Sequence, residues 1–315
     1  MEPVVVVGLG YVGLPLAVEL AKHTDVFGFD IKQERVSELR EGVDTTREVA
    51  DRDLLQDSLS FHCETSIIAA ASIVVVTVPT PVLGSQTPDL EPLLRASGMI
   101  GENMTTGTLV IFESTVYPGT TEEVCIPVLE ASSGMKVDVD FHVAYSPERI
   151  NPGDPTRSVS QIRKLVAGRT PEALSRAAEL YDKFLDEPCY QCSSIIVAEA
   201  AKVLENTQRD VNIALMNEFS TLMNALGVST REVLEAAATK WNFLRFYPGL
   251  VGGHCIGVDP YYLIHKAREL NMDLSVVRSA RRINEMMPEI IAKTFVKAYM
   301  KSADVKSHRR VLVVG

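Results

Sequence analysis

Short runs of β-branched and apolar residues at 4–7, 25–29, 73–78, 108–112, 139–145 and 165–167 alternate with stretches whose apolar positions recur at helical spacing. That rhythm predicts a parallel sheet wrapped by helices, an α/β domain over residues 1–192. After Cys192 the strands stop. Residues 193–225 contain no Pro or Gly, keep apolar residues at helical spacing and end just before Gly227, which predicts one helix of ~33 residues and ~50 Å. A helical domain of this size offers too little surface to cover such a helix, so it is expected to pack against a second copy in a homodimer. Ser229 reads as the N-cap of a helix over 230–239, another helix follows Pro260, and a third runs over 274–300 with a kink at Pro288. Residues 193–300 are therefore expected to form an all-helical central domain built on the long helix. A polar linker over 301–309 leads to Val311-Leu312-Val313-Val314-Gly315, which restates Val4-Val5-Val6-Val7-Gly8. Residues 301–315 thus look like the truncated start of a third α/β domain; a strand joining the first sheet is the alternative.

Composition narrows the classes. With 46% hydrophobic and 23% charged residues the chain can bury a full core. Its net charge of −10 has the wrong sign for gripping nucleic acid through phosphates. The longest largely apolar run, 67–79, falls short of the ~20 residues that span a bilayer, and Met1-Glu2-Pro3 leads straight into a strand rather than a signal peptide. The expectation is a cytoplasmic protein with no membrane or nucleic-acid partner. The cysteines Cys63, Cys125, Cys189, Cys192 and Cys255 are five, an odd number that argues against a disulfide framework and leaves room for a catalytic thiol.

Gly8-Leu9-Gly10-Tyr11-Val12-Gly13 follows four valines and opens a helix, and Asp30 closes the next strand. The glycines permit a tight turn, close approach of a pyrophosphate and packing of helix on strand, while the helix N-terminus faces the phosphates. Asp30 is placed to take the adenosine ribose hydroxyls, and its charge repels a 2′-phosphate, so NAD is favoured over NADP. This part of the chain is expected to be a Rossmann-like NAD-binding domain. Two further loops end strands where such sheets bind ligands: Thr77-Val78-Pro79-Thr80-Pro81 and Glu113-Ser114-Thr115-Val116-Tyr117-Pro118-Gly119.

On the long helix Lys202 and Asn206 are four apart and share a face. Lys202 sits among Ala198, Ala200, Ala201, Val203 and Leu204, an apolar setting that desolvates an ammonium. The loop Gly252-Gly253-His254-Cys255-Ile256-Gly257-Val258-Asp259-Pro260 brackets a cysteine with glycines, which exposes the thiol to a ligand. Asp259 suits a water-orienting role and also an N-cap ahead of Pro260; His254 reads as a loop hydrogen-bonder. The Cys189/Cys192 pair has no second pair at zinc-ribbon distance and reads as incidental, so no metal is expected.

These motifs together resemble the UDP-glucose/GDP-mannose dehydrogenases, the nucleotide-sugar 6-dehydrogenases, over residues 3–315. The matching runs are Val7 to Pro15, Glu113 to Thr120, Ser146-Pro147-Glu148-Arg149, Ala198 to Asn206, and Gly252 to Tyr262. The resemblance implies two-step oxidation of a primary sugar alcohol to a carboxylate with two NAD. It implies Cys255 as the thiol that carries a thioester, Lys202 and Asn206 as oxyanion donors, and Asp259, Glu148 and Thr115 as groups that place water and the acyl centre. NAD would contact Gly8, Gly10, Tyr11, Val12, Gly13, Asp30, Pro79, Thr80, Ser114 and Thr115. A UDP-sugar would contact Glu148, Arg149, Ile150, Asn151, Lys202, Asn206, Arg245 and Gly252. The runs Glu148 to Gly153 and His254 to Tyr262 look like the UDP-N-acetylhexosamine dehydrogenases that make uronic acids for surface polysaccharides, and within these Asn242 to Phe246 with Pro248 to Val251 most resembles the branch acting on UDP-N-acetylglucosamine or UDP-N-acetylgalactosamine; UDP-glucose and UDP-N-acetylmannosamine are alternatives. The family's third domain completes the nucleotide-sugar site, and a chain without it is expected to lack part of that site. Two other readings remain open: a two-electron hydroxyacid dehydrogenase, which has no need of Cys255, and a non-catalytic NAD-binding module.

Overall fold

The computed structural model describes residues 2–149, 159–253, 256–301 and 311–312. In chain order the first elements are β1 (Val4–Val7), α1 (Gly13–Ala21), β2 (Val26–Phe29), α2 (Gln33–Arg40), β3 (Leu59–His62), β4 (Ile73–Val76), α3 (Glu91–Asn103) and β5 (Leu109–Phe112). They are followed by α4 (Ile126–Ser133), β6 (His142–Tyr145), β7 (Leu165–Gly168), α5 (Pro171–Tyr181) and β8 (Tyr190–Gln191). The helices α6 (Ile195–Leu226), α7 (Thr230–Ala237), α8 (Asp259–Glu269) and α9 (Ser275–Lys301) complete the described chain.

One sheet takes the order β3-β2-β1-β4-β5-β6-β7-β8, so the strand order reverses beside β1, where β2 leaves to one side and β4 to the other. The strands β3 to β6 in that order are parallel, while β7 runs antiparallel to β6, a neighbour that needs no crossover helix. Because successive side chains of a strand point to opposite faces, Val4 and Val6 enter one core and Val5 and Val7 the other. Both faces are covered, which is why the strands read as unbroken apolar runs. The strands β3 and β8 were not expected. In β3 only Leu59 and Phe61 are buried, with Ser60 and His62 half-exposed between them, too few apolar positions to stand out. In β8 the two residues lie between Cys189 and Cys192, which face different cores as free thiols.

Register is what builds the site. Val7, Phe29 and Val76 lie level across the sheet, as do Val76, Phe112 and Tyr145. The residue after each strand therefore falls in one row at the carboxyl edge: Asp30, Gly8, Thr77, Glu113 and Ser146. Backbone bonds carry the ladder into that row, from Gly8 N to Phe29 O at 2.8 Å, Thr77 N to Val7 O, Glu113 N to Val76 O and Ser146 N to Phe112 O at 2.9 Å each.

The chain forms two compact units, Met1–Thr207 with Val258–Asp273 and Gln208–Gly257 with Leu274–Gly315. Sequence alone draws the boundary ahead of α6; the contacts draw it inside that helix, because Ile195 and Ala198 are buried in the core under the sheet. The long helix ends as its glycine predicts. Gly227 takes φ +71°, and Val228 N bonds to Met223 O at 3.0 Å in the geometry of a Schellman stop. The α9 helix continues through Pro288. In the second unit a buried polar network joins α6 to α9: Arg281 Nη1 donates to Asp210 Oδ1 at 2.6 Å and Asn284 Nδ2 to the same oxygen at 2.7 Å. Asn217 then holds both backbone groups of Gly249, at 2.8 and 2.9 Å.

Candidate active site

The glycine loop meets its geometric requirements position by position. Gly8 has φ +97°, a conformation side chains disfavour. A Cβ on Gly13 would lie 1.9 Å from Gly8 O and 2.3 Å from Thr77 Oγ1, so helix and strand close only over glycine. Gly10 is exposed, and a Cβ there would meet nothing within 4 Å. It is the point at which bare backbone offers itself to a ligand, ahead of the N-terminus of α1. Asp30 closes the loop from the side: its Oδ2 accepts from Leu9 N and its Oδ1 from Lys32 N, each at 2.9 Å.

Arg35 was not anticipated. It is buried, and its Nε donates to Leu9 O at 3.0 Å while its Nη2 reaches Asp44 Oδ1 at 2.8 Å. Burial works against the charge on Asp44, but bonds from Thr46, Val49, Arg35 and Glu48 outweigh it and hold the carboxyl down at about 2. Leu9 is thus gripped at its N–H by Asp30 and at its carbonyl by Arg35. An arginine five residues past an acidic strand end was the available signal.

The two proline-bearing loops are stitched into one wall. Ser114 Oγ donates to Val78 O and Thr80 Oγ1 to Thr115 O, both at 2.6 Å. From below, Tyr145 OH donates to Ser114 O at 3.2 Å, and from α8 Tyr262 OH donates to Thr80 O. Glu199 of α6 accepts from Gly119 N at 2.6 Å and Thr121 N at 2.9 Å; burial pushes its carboxyl up to about 7 against those bonds. Pro79 is exposed and Thr80 half-buried, on the open side of the wall, and Tyr11 is 42% exposed in the glycine loop.

Lys202, Asn206 and Asp259 come together. Lys202 and Asn206 are each 7% exposed and Asp259 2%. Asn206 Nδ2 donates to Asp259 Oδ2 at 2.6 Å. Burial pushes the Asp259 carboxyl up to about 6, opposed by that bond and by the charge of Lys202. The expected capping role of Asp259 is corrected: Val258 occupies the N-cap of α8 with no side-chain cap, Asp259 is the first helical residue, and its carboxylate turns to Asn206 instead. A buried amide and ammonium beside an acceptor that titrates near neutrality suit a reaction in which negative charge grows on a substrate oxygen.

The loop after β6 supplies Glu148 and Arg149. The Arg149 guanidinium grips Glu205 of α6 with Nη2 to Oε1 at 2.6 Å and Nε to Oε2 at 3.2 Å, which ties this loop to the helical turn carrying Asn206. Ile150, Asn151, His254 and Cys255 lie outside the described residues. Arg245 and Gly252 are exposed positions of the second unit.

An α/β sheet with this glycine loop, an acid at the end of β2 and a buried lysine–asparagine–aspartate cluster defines a nucleotide-dependent dehydrogenase. The family models for the UDP-glucose/GDP-mannose dehydrogenases match in their NAD-binding domain over residues 2–185 and in their central domain over 196–286. The chain is 51% identical over 313 residues to the UDP-N-acetyl-D-glucosamine 6-dehydrogenase of Pseudomonas aeruginosa, covering 99% of this chain and 74% of that one. It is 45% identical, with the same coverage, to the Salmonella typhi protein of the same name. Among solved structures, UDP-D-ManNAc dehydrogenase from Pyrococcus horikoshii superimposes with a TM-score of 0.88 at 37% identity, over 95% of this chain and 72% of that one. The chain belongs to the UDP-glucose/GDP-mannose dehydrogenase family and is an NAD-dependent nucleotide-sugar 6-dehydrogenase.

Proposed function

We propose that the protein oxidises the C6 alcohol of a UDP-N-acetylhexosamine, UDP-N-acetylglucosamine or UDP-N-acetylgalactosamine, to the uronic acid through a thioester on Cys255. The observation that carries this reading is the buried Lys202–Asn206–Asp259 cluster; the higher identity to the two UDP-N-acetyl-D-glucosamine enzymes than to the mannosamine one supports the sugar. Bound along the strand-end row from Asp30 to Thr115, NAD supplies the hydride acceptor for each of two oxidations. Lys202 and Asn206 donate to the sugar oxygen as charge builds on it, and Asp259 aims the Asn206 amide. Cys255 adds to the carbon of the aldehyde and retains it between oxidations, so that no free aldehyde escapes. Glu148 and Thr115 then place water on the acyl carbon. The balance is one alcohol, one water and two NAD giving one carboxylate, two NADH and three protons.

The reaction belongs to the cytoplasm, where NAD and UDP-sugars are made, and feeds surface polysaccharide synthesis. The protein acts as a homodimer through α6, on which Ile196, Val197, Leu204, Leu215, Leu222 and Leu226 are exposed.

The test is to count NADH against sugar consumed across a panel of UDP-sugars. Two NADH per UDP-N-acetylhexosamine is the expected result; one would return the protein to a two-electron hydroxyacid-type reaction, and none to a binding module. A second expectation concerns Asp30, whose Oδ2 orders the glycine loop at Leu9 and whose Oδ1 holds Lys32 N at the start of α2. Asp30→Ala removes a charge-assisted bond to the ribose and should weaken NAD binding by ~10- to 150-fold, about 1.5–3 kcal/mol. Calorimetry with NAD checks this, and an affinity within twofold of wild type would show that Asp30 does not face the ribose.

A further inference from the structure

At the row of strand ends lies a buried charge cluster of which the proposed reaction uses only Glu148. Lys164, just ahead of β7, is 3% exposed. Its Nζ lies 3.1 Å from Glu113 Oε2 and 3.7 Å from Glu148 Oε2. The other oxygen of Glu113 accepts from Tyr181 OH at 2.5 Å, and the ammonium sits 4.7 Å from the centre of the Tyr181 ring. The other oxygen of Glu148 accepts from Arg149 N at 2.6 Å. One cation is thus shared by two carboxylates, one sealed in the core and one at its edge.

Stability alone does not account for this arrangement. Sequestering an ammonium costs several kcal/mol, and apolar residues of like volume commonly serve a core as well or better. The partition of charge is informative. Burial, partly offset by Lys164, raises the Glu113 carboxyl, whereas Lys164 itself is raised by Glu113 and Glu148 despite its own burial. The ammonium is therefore held in its charged form by both carboxylates, and Glu148 is the one of the two that reaches the edge of the core. Glu148 in turn accepts from the Arg149 amide with one oxygen and lies 3.7 Å from the ammonium with the other, contacts that favour one orientation of its carboxylate.

We propose that Lys164 is a positioning residue of the active site, holding the Glu148 carboxylate in the orientation that receives a proton from the water hydrolysing the acyl intermediate. This rests on the thioester reading above. In the step concerned, water oxygen bonds to the acyl carbon as one water proton passes to Glu148, the carbon–sulfur bond breaks, Cys255 departs as thiolate and the sugar carboxylic acid is released. Lys164 touches neither water nor sugar and acts through Glu148, with Glu113 and Tyr181 fixing the ammonium.

The experiment compares Lys164→Met, Lys164→Arg, Glu148→Gln and the Lys164→Met/Glu148→Gln double variant. NADH release is followed by stopped flow, and the Cys255 adduct by quenched mass spectrometry, with a UDP-N-acetylhexosamine and NAD. Lys164→Met should lower kcat about a hundredfold, the scale of a misplaced general base. NAD affinity and the first NADH burst should stay within about threefold while the acyl adduct accumulates, and KM for the sugar should fall with kcat as deacylation becomes limiting. Lys164→Arg should recover at least a tenth of wild-type kcat, and the double variant should be no slower than Glu148→Gln alone. If Lys164→Met does not fold, Lys164→Gln made together with Glu113→Gln removes the cation along with its buried counter-charge, and the same split between burst and adduct decay is expected. Unchanged adduct decay, or a uniform loss of NAD affinity, burst and kcat, overturns the proposal. A wild-type protein that releases one NADH and forms no adduct overturns the thioester reading and this proposal with it; wild-type adduct with normal decay in Lys164→Met overturns this proposal alone.

Discussion

Asp259→Asn should yield a protein that is more stable than wild type and nearly inactive. The stability half follows from linkage. Asp259 is raised from 3.8 to about 6 in the folded protein, chiefly by burial, so between those values the folded state binds the proton that the unfolded state has released. Stability contributed by this group is therefore fully present below the unfolded value and is lost as pH rises through about 6. A shift of roughly two units corresponds to about 3 kcal/mol at pH 8 and about half that at pH 5. Asparagine copies the protonated carboxyl and still accepts the Asn206 amide hydrogen. The variant should accordingly gain up to ~3 kcal/mol in urea unfolding at pH 8, with a smaller gain at pH 5. The activity half follows from the lost charge beside Lys202: kcat should fall ~10²–10³-fold, as when an acid–base or oxyanion group is removed. Wild-type kcat should rise with pH through a limb near 6. A variant less stable than wild type at pH 8, or one that keeps a normal kcat, would show that the buried carboxylate is structural.

The parts of this site that lie in one contiguous motif were legible from residues alone, and the parts assembled by tertiary contact were not. Gly8, Gly13 and Asp30 declare themselves because a strand, a tight turn and a helix start follow in sequence, and the clash at Gly13 shows why the spacing is obligatory. The expectation that β-branched runs mark the sheet succeeded for β1 and β4, buried at every position. It missed β3, whose pattern is carried by two residues. Lys202 and Asn206 were visible as a helical pair, but their meeting with Asp259 depends on α8 returning across 53 residues of sequence, and only resemblance suggested it. Lys164 gave no signal. It follows Arg163 and reads as a second exposed cation, and its burial is decided by Glu113, 51 residues away, and by Tyr181. Arg35 carried only its spacing from Asp30 as a signal: on a short polar helix it looks solvated until Leu9 and Asp44 are folded over it. The pairing of Arg149 with Glu205 likewise depends on the fold bringing the loop after β6 to α6.

Cys255→Ser should abolish steady-state turnover while leaving NAD binding intact. Serine keeps the size and a hydrogen bond but replaces a thiol of pKa ~8.5 with a hydroxyl that is a far weaker nucleophile in the absence of a dedicated base. The buried cluster does not offer a dedicated base to a serine: Asn206 does not titrate, and Asp259 Oδ2 already accepts the Asn206 amide hydrogen. On the proposed route the first oxidation does not require the thiol, because Lys202 and Asn206 would address the sugar oxygen and the glycine loop NAD. The second oxidation would pass through the sulfur adduct and should stop. The expected record is one fast NADH per active site, then turnover reduced by ~10³-fold or more, with the sugar held as aldehyde or released slowly and no thioester mass on the protein. The affinity for NAD should change less than twofold, since the glycine loop, which Asp30 and Arg35 hold at Leu9, lies within the first unit. Glu148→Gln is the informative companion, because it should allow both oxidations once and then retain the acyl group on Cys255, giving a burst of two NADH where Cys255→Ser gives one. A serine variant that continues to make two NADH per sugar at a rate near wild type would remove the covalent route and leave hydration of a free aldehyde as the path to the acid.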